Sequence, residues 1–184
     1  MNATTPYSLR RSLAVVAAGA LLAGCADRAP LAPDRRPPIS TQRPEPAAAE
    51  RDRAIVTLRR ATARYHNLDA AIADGFVLLH GCETRPEEGP VGIVYVHFGR
   101  VLDGNIDPAA PDALIYEPGR HSRPKLVGVE MALPYPLWVG QDPPTFLGAT
   151  FQREDEFGVF GLHVWIWRDN PEGLFAESNP EVSC

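Results

Sequence analysis

Apolar positions change period once along this chain, near residue 75. Before it, Ala54, Leu58, Ala61, Tyr65, Leu68 and Ile72 recur at three- and four-residue steps, with Arg51, Arg53, Arg59, Arg60 and Arg64 mostly on the other faces. That is the stripe of an amphipathic helix. Asn67 is placed to cap a second short helix and Gly75 to end it, so two helices are expected over about 47–65 and 68–74. After Gly75 the apolar residues come in short runs: Phe76–Leu79, Val91–Phe98, Ala113–Tyr116, Leu126–Leu133, Thr145–Gln152 and Phe157–Trp167. The breaks carry turn chemistry, as in Asp103-Gly104, Asp107-Pro108, Pro118-Gly119 and Gln141-Asp142-Pro143-Pro144, and Glu154-Asp155-Glu156 reads as a charged hairpin tip. Short strands with hairpin-length breaks and no alternating helices predict a mainly antiparallel sheet. The expected fold is α+β, with N-terminal helices packed on a curved sheet or partial barrel, as a single domain over residues 47–184.

The first 46 residues cannot belong to that domain. Arg10 and Arg11 precede an apolar run, Ser12–Leu22, that closes on Leu22-Ala23-Gly24-Cys25. The run is about half the roughly 20 residues a membrane-spanning helix needs. Its closing tetrapeptide resembles the lipobox of bacterial lipoproteins. The resemblance implies a signal peptide over residues 1–24, lipidation (palmitate) of Cys25, and an exported protein held on a membrane of the cell envelope, facing the periplasm or the surface. Ordinary secretion with cleavage nearby is the alternative. Residues 26–46 contain six prolines and no core-forming pattern, which makes the segment from Cys25 to residue 46 a disordered tether.

Charge and cysteine usage narrow the reading further. Loss of Arg10 and Arg11 with the leader moves the formal charge from −5 to near −7, and no basic cluster follows residue 60, so nucleic acid is not an expected partner. Of three cysteines, lipidation would take Cys25 and leave Cys82 and Cys184. In an oxidising compartment those two are expected to form a disulfide closing a loop of about 100 residues. A free catalytic thiol at Cys82 is the alternative.

Phosphate loops, dinucleotide fingerprints, the Gly-x-Ser-x-Gly elbow, His-Glu-x-x-His and paired Cys-x-x-Cys motifs are absent. What remains is three ionisable residues inside apolar strands: His97, Glu130 and His163. Because side chains alternate faces, His97 shares a face with Ile93 and Tyr95, Glu130 with Gly128 and Ala132, and His163 with Val159, Trp165 and Trp167. A buried Glu130 needs a partner. Two histidines and a carboxylate on neighbouring strands make a ligand set for a divalent transition metal such as zinc, iron or copper, with Tyr95 and His66 as supporting residues. Trp165 and Trp167 are candidates for the wall of a small-ligand pocket beside His163. A salt-bridged structural network, or three unrelated solvated positions, would use the same residues. His80 and His121 sit near loops and are expected to be exposed. Asp103-Gly104-Asn105-Ile106-Asp107 begins like a calcium loop, but Pro108 and Leu114 stand where such a loop needs glycine and glutamate.

The folded region also resembles a family of uncharacterised exported bacterial proteins, on Tyr65-His66 to Gly75, Tyr95–His97, Leu126–Glu130 and Leu162–Cys184. The resemblance implies one exported domain and assigns no catalytic residue. The expected role is therefore binding of a small ligand or a divalent metal at the envelope. The alternatives are a metal-dependent enzyme activating water or dioxygen with the same residues, and a non-catalytic structural module.

Overall fold

Helix α1 (Pro46–Thr62) buries Ala54 and Leu58 and tightens into a 3-10 turn, Ala63–His66, which buries Tyr65. In the computed structural model, residues 46–85, 89–120 and 123–184 are described. The signal-like segment, Cys25, nearly all of the Pro-rich stretch, and His121 lie outside them. Asn67 caps α2 (Leu68–Ala73) as expected, its side chain accepting from the Asp69 amide at 3.2 Å. The cap also re-phases the apolar stripe. Ala71 is buried, whereas Ile72, expected in the stripe, is 51% exposed.

The strands are β1 (Val77–Arg85), β2 (Gly89–Val96), β3 (Ala113–Glu117), β4 (Lys125–Pro134), β5 (Thr145–Phe146), β6 (Ala149–Thr150), β7 (Gln152–Glu154) and β8 (Val159–Val164), with a short helix, α3 (Phe98–Val101), after β2. Six of them form one antiparallel sheet in the order β1-β2-β3-β4-β8-β7, curled into a half-barrel, while β5 and β6 make a separate small hairpin. The α+β class with a curved sheet is as the sequence predicts. Strand β1 is longer than its four-residue apolar run, passing through Cys82 to Arg85, and its pairing with β2 slips register three times. Such bulges bend a strand and increase its twist, which helps the sheet to curl. Gly92 contributes as well. Its φ is 108°, and a Cβ there would lie 2.6 Å from the Tyr116 carbonyl oxygen, so only glycine fits.

The two sheet faces are covered differently. The helical segment packs on the face formed by Leu114, Tyr116, Val129, Met131, Leu162 and Val164. It is pinned there by three polar contacts. The Tyr116 hydroxyl donates to the Tyr65 carbonyl at 2.8 Å, Arg59 Nε to the Ile166 carbonyl at 3.0 Å, and Trp167 Nε1 to Thr62 Oγ1 at 3.0 Å. The opposite face carries Val94, Val96, Ala113, Ile115 and Ala132, and the C-terminal segment after β8 covers one end of it with Trp165 and Val182. That segment is tied down by the Asn179 amide on the Pro90 carbonyl and by a Cys82–Cys184 disulfide with Cα atoms 5.3 Å apart. Among the described residues no helix is long and apolar enough to cross a membrane.

Candidate metal centre

Register across the sheet decides which polar side chains meet. Val96 pairs with Ala113, Ala113 with Glu130, and Glu130 with His163, so these four residues form one row across β2, β3, β4 and β8. Directly paired residues point to the same face. Glu130 and His163 therefore face away from the helices, at exposures of only 6% and 4%. Their closest approach is 3.8 Å, from His163 Nε2 to Glu130 Oε2. That is beyond hydrogen-bond range.

A third ligand comes from the neighbouring hairpin. A carboxylate oxygen of Glu154, at the end of β7, joins the other two so that all three ligand atoms lie within 4.8 Å of one another. Gly161 makes this approach feasible. It sits on β8 two residues before His163, and a Cβ there would collide with the Glu154 carboxylate and reach within 3.0 Å of Glu130 Oε1. The glycine is the slot through which Glu154 reaches the centre.

Hydrogen bonding sets the imidazole's orientation. His163 Nδ1 lies 2.6 Å from the Glu177 carbonyl oxygen. A carbonyl only accepts, so Nδ1 carries the proton, and in the neutral ring the Nε2 lone pair is directed towards Glu130. Metal-binding histidines are held in this way, with the second ring nitrogen donating to a backbone carbonyl. Glu130 itself receives no hydrogen bond among the described residues. Burial, and after it the negative charge of Glu154, push its carboxyl well above the ordinary range. Asp112 contributes to that field from the end of β3. It is fully buried, its Oδ2 accepts from the Ala132 amide at 2.8 Å, and its Oδ1 has no partner among the described residues. Burial lifts its carboxyl to about 7.

Glu130 and Glu154 are also the charged residues lining a cavity of about 400 Å3. Its remaining walls are apolar, with Leu79, Val96, Val101, Pro134, Pro136 and Val159 among them.

The structure brings together two of the three residues singled out in the sequence. His97 is not with them. It follows β2 as the cap of α3, Nδ1 accepting from the Arg100 amide at 3.2 Å, with its ring edge-on to Phe76 on the helix-covered face. Tyr95 lies on that same face against Tyr116, and His66 stacks edge-on to Trp167 at 4.4 Å. Neither supports the centre. Trp165 is beside His163, ring centroids 5.9 Å apart, with its Nε1 bound to the Ala176 carbonyl. Trp167 is on the other face, because an Ile166 amide to Val164 carbonyl bond turns the backbone at Trp165 and ends the alternation. The apolar walls near the centre come from strands and from α3, not from the tryptophans. His80 lies within β1 beside Glu83. Asp103 and Asp107 accept from the amides two residues on and so close ordinary turns.

Glu154 is the residue that sequence reasoning missed. Its signal was Gly161, a residue without a side chain on the face that His163 shares. No family model, curated protein or solved structure matches this chain.

Proposed function

We propose that this chain binds a divalent transition metal through Glu130, Glu154 and His163, and that it does so as an exported, lipid-anchored protein of the bacterial cell envelope. The observation that carries the metal reading is the arrangement of buried groups. An imidazole lone pair and a carboxylate without a hydrogen bond face each other at 3.8 Å, with a second carboxylate within 4.8 Å. Without a metal the Glu130 carboxyl is held protonated by burial, and a divalent cation in its place would engage the imidazole and both carboxylates at once. Ligand atoms about 2.0–2.2 Å from a zinc ion at tetrahedral angles are roughly 3.4 Å apart, so Glu130 and His163 need shift by only a few tenths of an ångström, and Glu154 by about an ångström, to close the site. Two carboxylates neutralise a divalent ion, which removes the penalty for holding charge in a nearly buried place. Three protein ligands leave coordination positions over, and Glu130 and Glu154 border the cavity, so the open side of the metal faces it.

The envelope part of the proposal is supported by Leu22-Ala23-Gly24-Cys25 and by the Cys82–Cys184 disulfide, which suits an oxidising compartment. A metal with an open position also leaves room for a hydrolytic or oxidative activity, with zinc, iron or copper as the ion.

Metal analysis of the full-length protein, after incubation with zinc and removal of excess, tests the reading. One equivalent is expected in the wild type and in His97→Ala, and loss is expected in Glu130→Gln and His163→Ala. Sub-stoichiometric zinc in the wild type, or equal retention in all four proteins, would overturn it.

A further inference from the structure

The cavity beside the metal centre is as informative as the ligands. We infer that it receives a small amphiphile whose apolar body fills the cavity and whose oxygen-donor head completes the coordination of a metal held by Glu130, Glu154 and His163. The inference rests on the metal reading and adds the class of ligand. At roughly 30 Å3 per non-hydrogen atom, the 400 Å3 of space holds about a dozen atoms, a body the size of a medium acyl chain or a substituted ring.

The lining combines two kinds of surface. Its charged residues are Glu130 and Glu154, and the rest is largely apolar, with Val96, Ala113, Val101 and Val159 among it. Phe98, Leu102 and Phe157, which also line it, are exposed by 54%, 69% and 41%. Three large apolar side chains kept in water beside one cavity mark a place where apolar surface is covered by something else. The lining selects the occupant. A wholly polar ligand would leave the apolar walls wet, and a wholly apolar one would leave the metal's open position unused. An anionic or neutral oxygen head complements the metal, and an apolar body complements the walls. A free carboxylate headgroup without a metal is disfavoured, because the charged residues that line the cavity are two carboxyl groups, Glu130 and Glu154, and neither offers it a positive partner.

The closing experiment compares two ligands with one head. Full-length protein loaded with one equivalent of zinc is titrated calorimetrically with acetohydroxamate and octanohydroxamate, which present identical chelating oxygens and differ by six methylenes. Each buried methylene strengthens binding about fourfold, so burial of most of the chain makes octanohydroxamate tighter by about 100-fold or more. Ala113→Leu fills the cavity next to Glu130 and is expected to remove most of that preference while zinc is retained. Leu102→Glu, at an exposed position that leaves folding intact, is expected to reduce the preference several-fold without changing acetohydroxamate binding. Equal affinities for the two hydroxamates on zinc-loaded protein would overturn the amphiphile and leave the metal standing. Failure of the wild type to hold zinc would overturn both.

Discussion

Strands β4 and β8 serve two opposite environments one peptide apart. Met131 and Leu162, directly paired, lie under the helices in a continuous apolar layer with Val129, Val164 and Tyr116. Glu130 and His163, also paired, lie on the other side beside a cavity, with a glycine next to them where a side chain would be expected. The helix-covered face is filled to exclusion and its polar contacts are satisfied at its margins. The other face is filled only at the end covered by the C-terminal segment, and polar groups remain inside its open half. Apolar packing is concentrated on one face and the buried ionisable groups on the other, and the alternation of the strand keeps the two apart.

That contrast can be broken in a graded way. The largest effect is expected from the cover of the open face. Replacing Cys82 and Cys184 by serine removes a cross-link between residues 102 positions apart and should cost up to about 4–5 kcal/mol in urea unfolding. Next comes Asp112, whose folded-state carboxyl titrates at about 7. A folded value above the unfolded one means that this group's contribution is fully present below about pH 4 and is lost as pH rises through 7, a change of up to about 4 kcal/mol. Asp112→Asn keeps an acceptor for the Ala132 amide and cannot ionise. The stability difference between variant and wild type should therefore grow in the variant's favour from pH 4 to 8. Met131→Ala, on the packed face, should cost about 3 kcal/mol while leaving zinc stoichiometry unchanged below the unfolding transition. Gly161→Ala reverses that pattern. The added methyl meets the Glu154 and Glu130 carboxylates, so zinc affinity should fall roughly 10- to 100-fold with little change in melting temperature. If Met131→Ala weakened zinc as much as Gly161→Ala, the two faces would not be independent.

The same two faces explain what the sequence disclosed. Short continuous apolar runs located β2, β3, β4 and β8, because the central strands are buried on both faces, and the three-to-four-residue stripe located the helices, which bury one side. Alternation holds within each strand, since His97 shares a face with Tyr95 and Glu130 shares one with Ala132. Alternation alone does not fix which faces of different strands coincide. That depends on register, and the register aligns Val96, not Tyr95, with Ala113 and Glu130, so His97 falls on the opposite side. Glu154 was hidden for a different reason. Strand β7 has three residues, Gln-Arg-Glu, and its place in the sheet comes from pairing with β8 rather than from any apolar pattern. Strand β1 extends beyond its apolar run because its second half is polar and lies at a sheet edge, where burial leaves a weak imprint in sequence.

The carbonyl of Glu177 lies on the C-terminal segment, after every strand of the sheet and before the cysteine that locks that segment down. Completion of the centre is therefore the final event in the chain's own order. Synthesis must pass residue 130, then 154, then 163, and only the docked tail supplies the acceptor that sets the imidazole's tautomer. A chain ending before residue 177 has every strand of the sheet in its sequence and lacks this acceptor for the imidazole. A metal held at this centre would therefore meet a fixed imidazole only after the segment around residue 177 has docked.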